Sequence, residues 1–192
     1  MAWVLTTPPE DASGELAAQY RRARNPDGSV DAVIQMHSAS PASLRAHLEL
    51  YVTAMHRPSA LSRTEREIVG ALVSAWNECR YCLVHHAAGL RRLLEPERAA
   101  LADAIEGGDA VESLPLTDRE RAMTAWARKL TMRPETAAQD DVGRLRAAGL
   151  DDRAIVELAQ VVGYFAYVNR MVLGLGVELE GPEHAKGAWP TD

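Results

Sequence analysis

Residues 61–86 read LSRTEREIVGALVSAWNECRYCLVHH and contain both cysteines of the chain. Ser62 and Glu65 form the S-x-x-E pattern of a capping box, in which two side chains bond backbone amides at a helix N-terminus. The pattern predicts a helix over 63–76. A second helix is expected to begin at or near Cys79, so this stretch predicts a helical hairpin.

The rest of the sequence also has helical periodicity, and no stretch shows the sustained alternation of a β-strand. Caps, prolines and glycines delimit the segments. Besides the hairpin, whose second helix is expected to end at about Leu94, the predicted helices cover 12–24, 31–37, 41–55, 95–105, 118–132, 135–148 and 151–173. The loops between them are short, which favours an all-α, single-domain helical bundle.

The expected domain covers 1–182, with N-terminal helices in 1–60, a redox hairpin in 61–94 and C-terminal helices in 95–180. The polar, Gly/Pro-containing residues 183–192 are predicted to be a surface tail. A faint internal repeat relates residues 66–69 to 153–156 at an offset of 87 positions. The offset replaces Glu67, Cys79, Cys82 and His86 by Ala154, Ala166, Asn169 and Leu173, so only one half carries the chemistry.

Composition excludes several functional classes. The chain has 192 residues, 47% of them hydrophobic and 25% charged, with a formal net charge of -6 and no concentrated basic run. Neither a nucleic-acid partner nor an anionic membrane partner is expected. The first nine residues lack the pattern of a secretory signal, and no apolar run approaches the 18 residues of a membrane span. The expected location is therefore the cytoplasm, where a close cysteine pair is typical of catalysis, redox sensing or metal binding.

The cysteines form a C-x-x-C followed by two histidines. On a helix that advances about 100° per residue, Cys79, Cys82 and His86 project within roughly 60° of one another. His85 points away from that face and is expected to be structural or, at most, supporting. If the two helices pack antiparallel, Glu67 comes close to the thiols.

Thiol redox chemistry requires a thiolate, and at a pKa of about 8.5 only a small fraction of a thiol is ionised at pH 7. The helix N-terminus, His86 and Glu67 are the expected causes of a lowered pKa. Glu78 is expected to disfavour a second negative charge on the adjacent Cys79. This argument makes Cys82 the first nucleophile.

The motif L-S-x-x-E-R-E at 61–67, followed by V-S-A-x-N-x-C-x-Y-C-x-x-H-H at 73–86, resembles the alkylhydroperoxidase D-like branch of the carboxymuconolactone decarboxylase superfamily, especially its peroxidase-related members. The resemblance implies that Cys82 attacks a hydroperoxide and becomes a sulfenic acid, and that Cys79 resolves it to a disulfide. His86 and Glu67 match the family's positions. The best-known alkylhydroperoxidases have histidine at the position of Tyr81, so a relay role is not transferred to this residue. It is expected to be an aromatic wall or, in a supporting role, a hydrogen-bond donor to a peroxide oxygen.

The resemblance further implies a small hydroperoxide substrate, an unidentified dithiol or thiol reductant, and a homo-oligomer (dimer, trimer or hexamer). No metal, flavin, haem or other cofactor is expected. Three alternatives stay open. The pair could reduce disulfides of a partner protein or act as a redox sensor, or Cys79, Cys82, His86 and Glu67 could bind zinc. Decarboxylation is the least favoured, because those relatives do not rely on a C-x-x-C.

Overall fold

The computed structural model describes residues 2–180, and over that range the chain is all-α, with no strand and a single isolated β-bridge between Arg24 and Val30. The helices of the described chain are α1 (Gly14–Arg22), α2 (Ala32–Gln35), α3 (Pro41–Met55), α4 (Arg63–Trp76), α5 (Arg80–Leu93), α6 (Ala100–Gly107), α7 (Asp118–Met132), α8 (Gln139–Ala147) and α9 (Asp152–Gly174). Short 3-10 helices occupy Pro9–Asp11, Pro96–Arg98, Val111–Ser113 and Pro134–Thr136.

The predicted bounds are confirmed where capping signals are strong. Helices α3, α4 and α7 begin and end at the predicted residues, and the capping boxes of α4 (Ser62 with Glu65) and α7 (Thr117 with Glu120) are both formed. Two predicted helices are instead interrupted. In the segments 95–105 and 135–148 the 3-10 turns Pro96–Arg98 and Pro134–Thr136 precede the α-helices, which begin only at Ala100 and Gln139.

The faint repeat does not extend to the hairpin. An offset of 87 aligns the turn at 77–79 with residues 164–166, which lie inside the continuous helix α9. The two halves therefore differ in local structure as well as in chemistry. The predicted tail at 183–192 lies outside the described residues.

Helix α4 lies at the centre of the fold and packs against α5, α6, α7 and α9. Every residue from Arg66 to Ser74 is buried. Gly70 allows α9 to approach closely, since a Cβ atom at this position would lie 2.4 Å from the ring of Phe165. The position therefore requires glycine for packing, and α4 and α9 bring their side chains into one core.

Within residues 2–180, no helix combines the length and the apolar character that crossing a bilayer demands.

Candidate active site

The turn between α4 and α5 places Cys79 at the N-terminus of α5. Glu78 adopts a left-handed backbone conformation with a φ of 57°, which reverses the chain in a few residues. The amide of Cys79 then donates to the carbonyl oxygen of Ser74 at 2.9 Å, and Cys79 itself is the N-cap residue of α5. Both cysteines are free thiols, and both are buried.

The two thiols have opposite pKa shifts. A hydrogen bond from the Cys82 thiol lowers the pKa of Cys79 to about 7; burial opposes this, while the amides of Cys82 and Tyr81 and the side chain of Asn169 support it. The adjacent Cys79 sulfur and burial raise the pKa of Cys82 well above its usual value. These directions follow from position, because only Cys79 faces free amides at the helix N-terminus.

Cys79 therefore ionises before Cys82, whereas the electrostatic argument made from the sequence predicts that Cys82 ionises first. Glu78 was expected to disfavour a charge on Cys79, but its side chain is exposed to water, where its field is screened. The hydrogen bond from the Cys82 thiol, supported by the helix amides, lowers the pKa of Cys79 instead. Cys79 therefore ionises first, and the role of Cys82 as attacking thiol has to rest on its position in the cavity described below.

Glu67 and His86 form a buried carboxylate–imidazole pair between α4 and α5. The Oε2 atom of Glu67 lies 2.6 Å from Nδ1 of His86, and Oε1 lies 3.2 Å from Nη2 of Arg63. Burial by itself would raise the pKa of Glu67, but the charges and hydrogen bonds of His86 and Arg63 outweigh it and lower that pKa. The ionised Glu67 fixes the imidazole through Nδ1 and leaves Nε2 for chemistry.

Asn169 is a member of the site to which sequence reasoning assigned no role. It is fully buried on α9, accepts a hydrogen bond from the Asn77 amide at 2.9 Å and donates to the Ser74 hydroxyl at 3.2 Å. Its side chain also bonds both thiols and lowers the pKa of each. The signal that could have indicated this role is a lone asparagine in an apolar helix, which must find polar partners when buried.

A cavity with an empty volume of ≈ 560 Å³, part of it open solvent, lies between α2, α3, α4, α5 and α9. Its lining includes Glu67, Cys82 and His86 together with the phenols of Tyr51, Tyr81 and Tyr164. Cys79 instead borders a surface groove on the other side of α5, beside Arg80 and Leu173. Cys82 is therefore the cysteine that faces the same cavity as the Glu67–His86 pair.

Tyr81 and His85 are held by Glu180, which sequence reasoning did not identify. The Tyr81 hydroxyl donates to Oε1 of Glu180 at 2.8 Å, and Nε2 of His85 lies 3.1 Å from Oε2. The Tyr81 and His85 rings are stacked at 4.4 Å. Bonds from the His85 ring, the Ala32 amide and the Tyr81 hydroxyl overcome burial and lower the pKa of Glu180 to about 2. The Tyr81 proton is thus directed to Glu180, and the residue serves as a wall of the cavity.

In the part of the chain that the structure describes, no group of three or more histidine, cysteine, aspartate or glutamate side chains is arranged to hold a metal ion. In particular, Glu67 and His86 direct Oε2 and Nδ1 at each other. The geometry of the site is that of a dithiol with a nearby proton-transfer pair.

Comparisons with known proteins agree with this architecture. The model of the carboxymuconolactone decarboxylase family matches residues 41–129, which include all of α4 and α5. A search of the curated proteins finds no match.

Solved structures resemble the chain over nearly its whole length. An uncharacterized peroxidase-related protein from Ralstonia eutropha JMP134, an alkylhydroperoxidase AhpD core, has a TM-score of 0.85 at 22% identity, with 97% of this chain and 96% of that chain covered. A peroxidase-related protein from Silicibacter sp. TM1040 has a TM-score of 0.79 at 27% identity, with coverages of 96% and 100%. The debrominase Bmp8 has a TM-score of 0.73 at 18% identity, with coverages of 94% and 94%.

The matched family segment contains both cysteines, Glu67 and His86, and the all-α fold extends the likeness to the helices that surround them. Residues 41–129 are thus similar to the carboxymuconolactone decarboxylase family, and the whole fold is similar to that of AhpD-like, peroxidase-related proteins.

Proposed function

We propose that this protein is a thiol-dependent hydroperoxide reductase in which Cys82 attacks the peroxide and Cys79 resolves the product to a disulfide. Members of the family are enzymes, and the AhpD-like fold supports a peroxidase-related function. The single observation that carries the finer proposal is that Cys82 and the Glu67–His86 pair line one cavity, with the more acidic thiol of Cys79 hydrogen-bonded to Cys82.

The first step is proton transfer between the sulfurs. Cys79 starts as the thiolate and accepts the proton of the Cys82 thiol through the hydrogen bond that joins them. This transfer is uphill, since the pKa of Cys82 is the higher of the two, but it generates the stronger nucleophile inside the cavity. In the proposed step His86, whose Nδ1 lies 2.6 Å from Oε2 of Glu67, acts as the cation that compensates the negative charge.

The oxidation step balances without a cofactor. The Cys82 thiolate attacks the terminal oxygen of R–O–OH, a sulfur–oxygen bond forms, and the oxygen–oxygen bond breaks. The electron pair leaves on RO⁻, which takes the proton of His86 to become ROH. Cys82 is now a sulfenic acid, and the Cys79 thiol condenses with it to form the disulfide and water.

The disulfide has to be reduced before the next turnover. We propose a small dithiol as reductant, which exchanges with the disulfide, returns Cys79 and Cys82 to thiols and is itself oxidised to a disulfide. Cys79 lines the surface groove, and we propose that the dithiol approaches from this side, where the buried sulfur has to become exposed for the exchange.

The cavity favours a small, uncharged hydroperoxide. Its empty volume of ≈ 560 Å³ includes open solvent, so the enclosed part has room only for a small molecule. Among the described residues that line the cavity there are two carboxylates, Asp31 and Glu67, and no lysine or arginine. A negatively charged substrate would therefore meet two carboxylates, and the one cation of the proposed mechanism, His86, is already paired with Glu67.

The experiment that tests the proposal is a single turnover of fully reduced, metal-free protein with one equivalent of ethyl hydroperoxide, followed by rapid quench and mass spectrometry. The wild type should lose two thiols as an intramolecular disulfide. Cys79→Ser should stop at a sulfenic acid that a dimedone probe traps on Cys82, and Cys82→Ser should not react. Glu67→Gln should slow the reaction about 100-fold, because His86 loses its charged partner. A wild-type rate no faster than that of a free thiol would overturn the proposal.

A disulfide reductase would use the same dithiol on a protein disulfide. Repeating the single-turnover experiment with an oxidised model dithiol distinguishes the two functions, because a disulfide reductase reacts faster with that dithiol than with ethyl hydroperoxide.

The structural similarity to a debrominase suggests a further substrate to test, since the three phenol rings of the cavity offer contacts to an aromatic ring. Bromide release from 2,3,4-tribromopyrrole, which is bound in one structure of that debrominase, is therefore measured beside peroxide reduction.

A further inference from the structure

A row of four side chains leads from the end of α3 to the imidazole of His86. Nη1 of Arg63 lies 2.8 Å from Nδ1 of His56, and Nη2 of the same guanidinium lies 3.2 Å from Oε1 of Glu67. Oε2 of Glu67 in turn lies 2.6 Å from Nδ1 of His86. The proposed reaction uses the last two residues of this row and assigns no part to Arg63 or His56.

His56 holds the guanidinium as a neutral acceptor. Burial and the charge of Arg63 lower the pKa of His56 to about 4, so the ring is neutral near pH 7. A guanidinium can only donate, so Nδ1 of His56 accepts and the ring proton is on Nε2. The ring is itself fixed, because it packs edge-on against Tyr51 at 4.9 Å and the carbonyl oxygen of Arg57 accepts a hydrogen bond from Arg66 at 3.0 Å.

Arg63 bonds one oxygen of Glu67 and leaves the other to His86. Glu67 is 3% exposed, and burial alone would disfavour its charge. In the proposed reaction His86 gives its proton to the leaving oxygen, and at that point Glu67 loses its imidazolium partner. A guanidinium keeps its charge at any pH at which the thiolate exists, so Arg63 still pairs with Glu67 after that proton has left. The charged carboxylate then favours the return of a proton to His86.

We propose that Arg63, seated on His56, is a positioning residue that keeps Glu67 ionised and its Oε2 directed at His86 throughout the reaction. This inference rests on the proposed function. Neither Arg63 nor His56 is among the described residues that line the cavity, so both act through Glu67.

Several elements place charged or titratable groups around Glu67. The side chains that interact with its charge are Arg63 and Arg66 on α4, Tyr51 on α3, His56 after α3, His86 and Arg92 on α5, and Tyr164 on α9. The two phenols keep their protons, because burial raises the pKa of each, and the three guanidiniums keep their charge. Among these groups Arg63 is the guanidinium hydrogen-bonded to Oε1, so its removal should change the titration of Glu67 directly.

The test follows the titration of Glu67 itself. Protein labelled with ¹³C at the glutamate carboxylates is titrated by NMR from pH 4 to 8, and the Glu67 signal is assigned by its absence in Glu67→Gln. The wild type is compared with Arg63→Gln, which loses the charge, and with Arg63→Lys, which keeps it. His56→Phe tests the same row without a change on α4, because it keeps a ring at this position and removes the acceptor for Arg63.

The matched control is Arg119→Gln. Arg119 from α7 lies 2.7 Å from Oε1 of Glu65 on α4, and its side chain is as exposed as that of Arg63, 31% against 30%. The control therefore removes an ion pair from the same helix without touching the row that ends at His86.

Arg63→Gln should raise the midpoint of Glu67 by about 1 to 2 pH units, as expected for loss of an adjacent opposite charge. Arg63→Lys should raise it by less than about half as much, because the positive charge is kept. His56→Phe should raise it as well, since the guanidinium loses the acceptor that seats it. Arg119→Gln should leave it unchanged.

A second readout is the single-turnover rate with ethyl hydroperoxide at pH 7 and at pH 5. Relative to the wild type, the ratio of these rates should increase about 2- to 10-fold in Arg63→Gln and should not change in Arg119→Gln. An unchanged Glu67 midpoint in Arg63→Gln, or an equal shift in Arg119→Gln, would overturn the inference. A wild type that reacts no faster than a free thiol would instead overturn the proposed function, while the Glu67 titration would still show whether Arg63 holds that carboxylate.

Discussion

At the scale of single residues, the cysteines differ because the Cys82 thiol donates to the Cys79 sulfur, which the amides at the helix N-terminus also favour as an anion. The Cys79 sulfur accepts hydrogen bonds from the Cys82 thiol, from two backbone amides and from Asn169. Cys82 is buried beside the Cys79 sulfur, which ionises first and so disfavours a second negative charge on Cys82. The pair therefore ionises in two separate steps, as closely coupled groups do. Near neutral pH the resting dithiol is therefore shared between a neutral form and a form with one negative charge on Cys79.

The first prediction concerns the order of alkylation. In a short iodoacetamide pulse on reduced protein, Cys79 should be labelled first, with a midpoint near its pKa of about 7. Cys82→Ala should raise that midpoint, because the largest cause of the lowered pKa is the Cys82 thiol. Cys79→Ala should lower the pKa of Cys82, which then loses its charged neighbour. Peptide mapping across pH 5 to 9 measures both midpoints, and a first label on Cys82 in the wild type would contradict the assignment.

The sequence could predict that Glu67, Cys79, Cys82 and His86 share one region, because all four lie on two capped, consecutive helices joined by a short turn. It could not predict Asn169, Tyr51, Tyr164 or Glu180. These residues reach the site from α3, from α9 and from the segment after α9, so their positions depend on how distant helices pack. Helical periodicity identifies a buried face and does not identify its partner across the core.

At the scale of secondary-structure elements, Glu180 links three parts of the chain that are far apart in sequence. Its carboxylate accepts hydrogen bonds from the Ala32 amide at 2.5 Å and from the Tyr81 hydroxyl at 2.8 Å, and it contacts His85 on the same helix as Tyr81. The Val33 amide donates in turn to the Tyr81 oxygen at 3.3 Å. Helices α2 and α5 are thus joined through one carboxylate beside the cavity.

The second prediction is a double-mutant cycle at this link. Glu180→Gln should lower the free energy of unfolding by about 1 to 3 kcal/mol, since it weakens charge-assisted hydrogen bonds in a partly buried site. Tyr81→Phe should cost less, and the double variant should lose less than the sum of the two single losses, by about 0.5 kcal/mol or more. Urea unfolding at pH 7 measures all four proteins. Strict additivity would show that the two side chains stabilise the fold independently.

At the scale of the whole molecule, the fold buries several histidines in the neutral form. Burial lowers the pKa of His47 to about 3, and burial with the nearby Arg63 charge lowers that of His56 to about 4. Burial also lowers the pKa of His37, whose ring lies 4.7 Å from that of His47. In the unfolded chain each of these rings regains an ordinary pKa of 6.5. Below that pH the unfolded state binds more protons than the folded state, so stability falls as pH falls.

The histidines and the carboxylates affect stability in different pH ranges. Glu180, with a pKa lowered to about 2, contributes stability that is present above the ordinary value of 4.5 and is lost as pH falls toward 2. The pKa of Glu67 is also lowered, so Glu67 likewise contributes stability that is present above pH 4.5 and is lost as the pH falls below that value. Asp31, whose pKa is raised chiefly by burial, acts with the opposite sign. Between pH 6.5 and about 5 the decline in stability should therefore come mainly from the histidines.

The third prediction is that His47→Leu flattens this decline. Each pH unit below 6.5 should cost the wild type about 1.4 kcal/mol through His47 alone until the folded pKa of about 3 is approached, and the variant lacks that contribution. The Nδ1 atom of His47 has no hydrogen-bond partner among the described residues, so the substitution removes a proton-binding site without breaking a bond at that atom. Urea unfolding at half-unit steps from pH 7 to 5 gives the slopes, which are independent of any constant offset in stability. A slope equal to that of the wild type would mean that His47 binds its proton as readily in the folded protein as in the unfolded chain, and would contradict a neutral, buried His47.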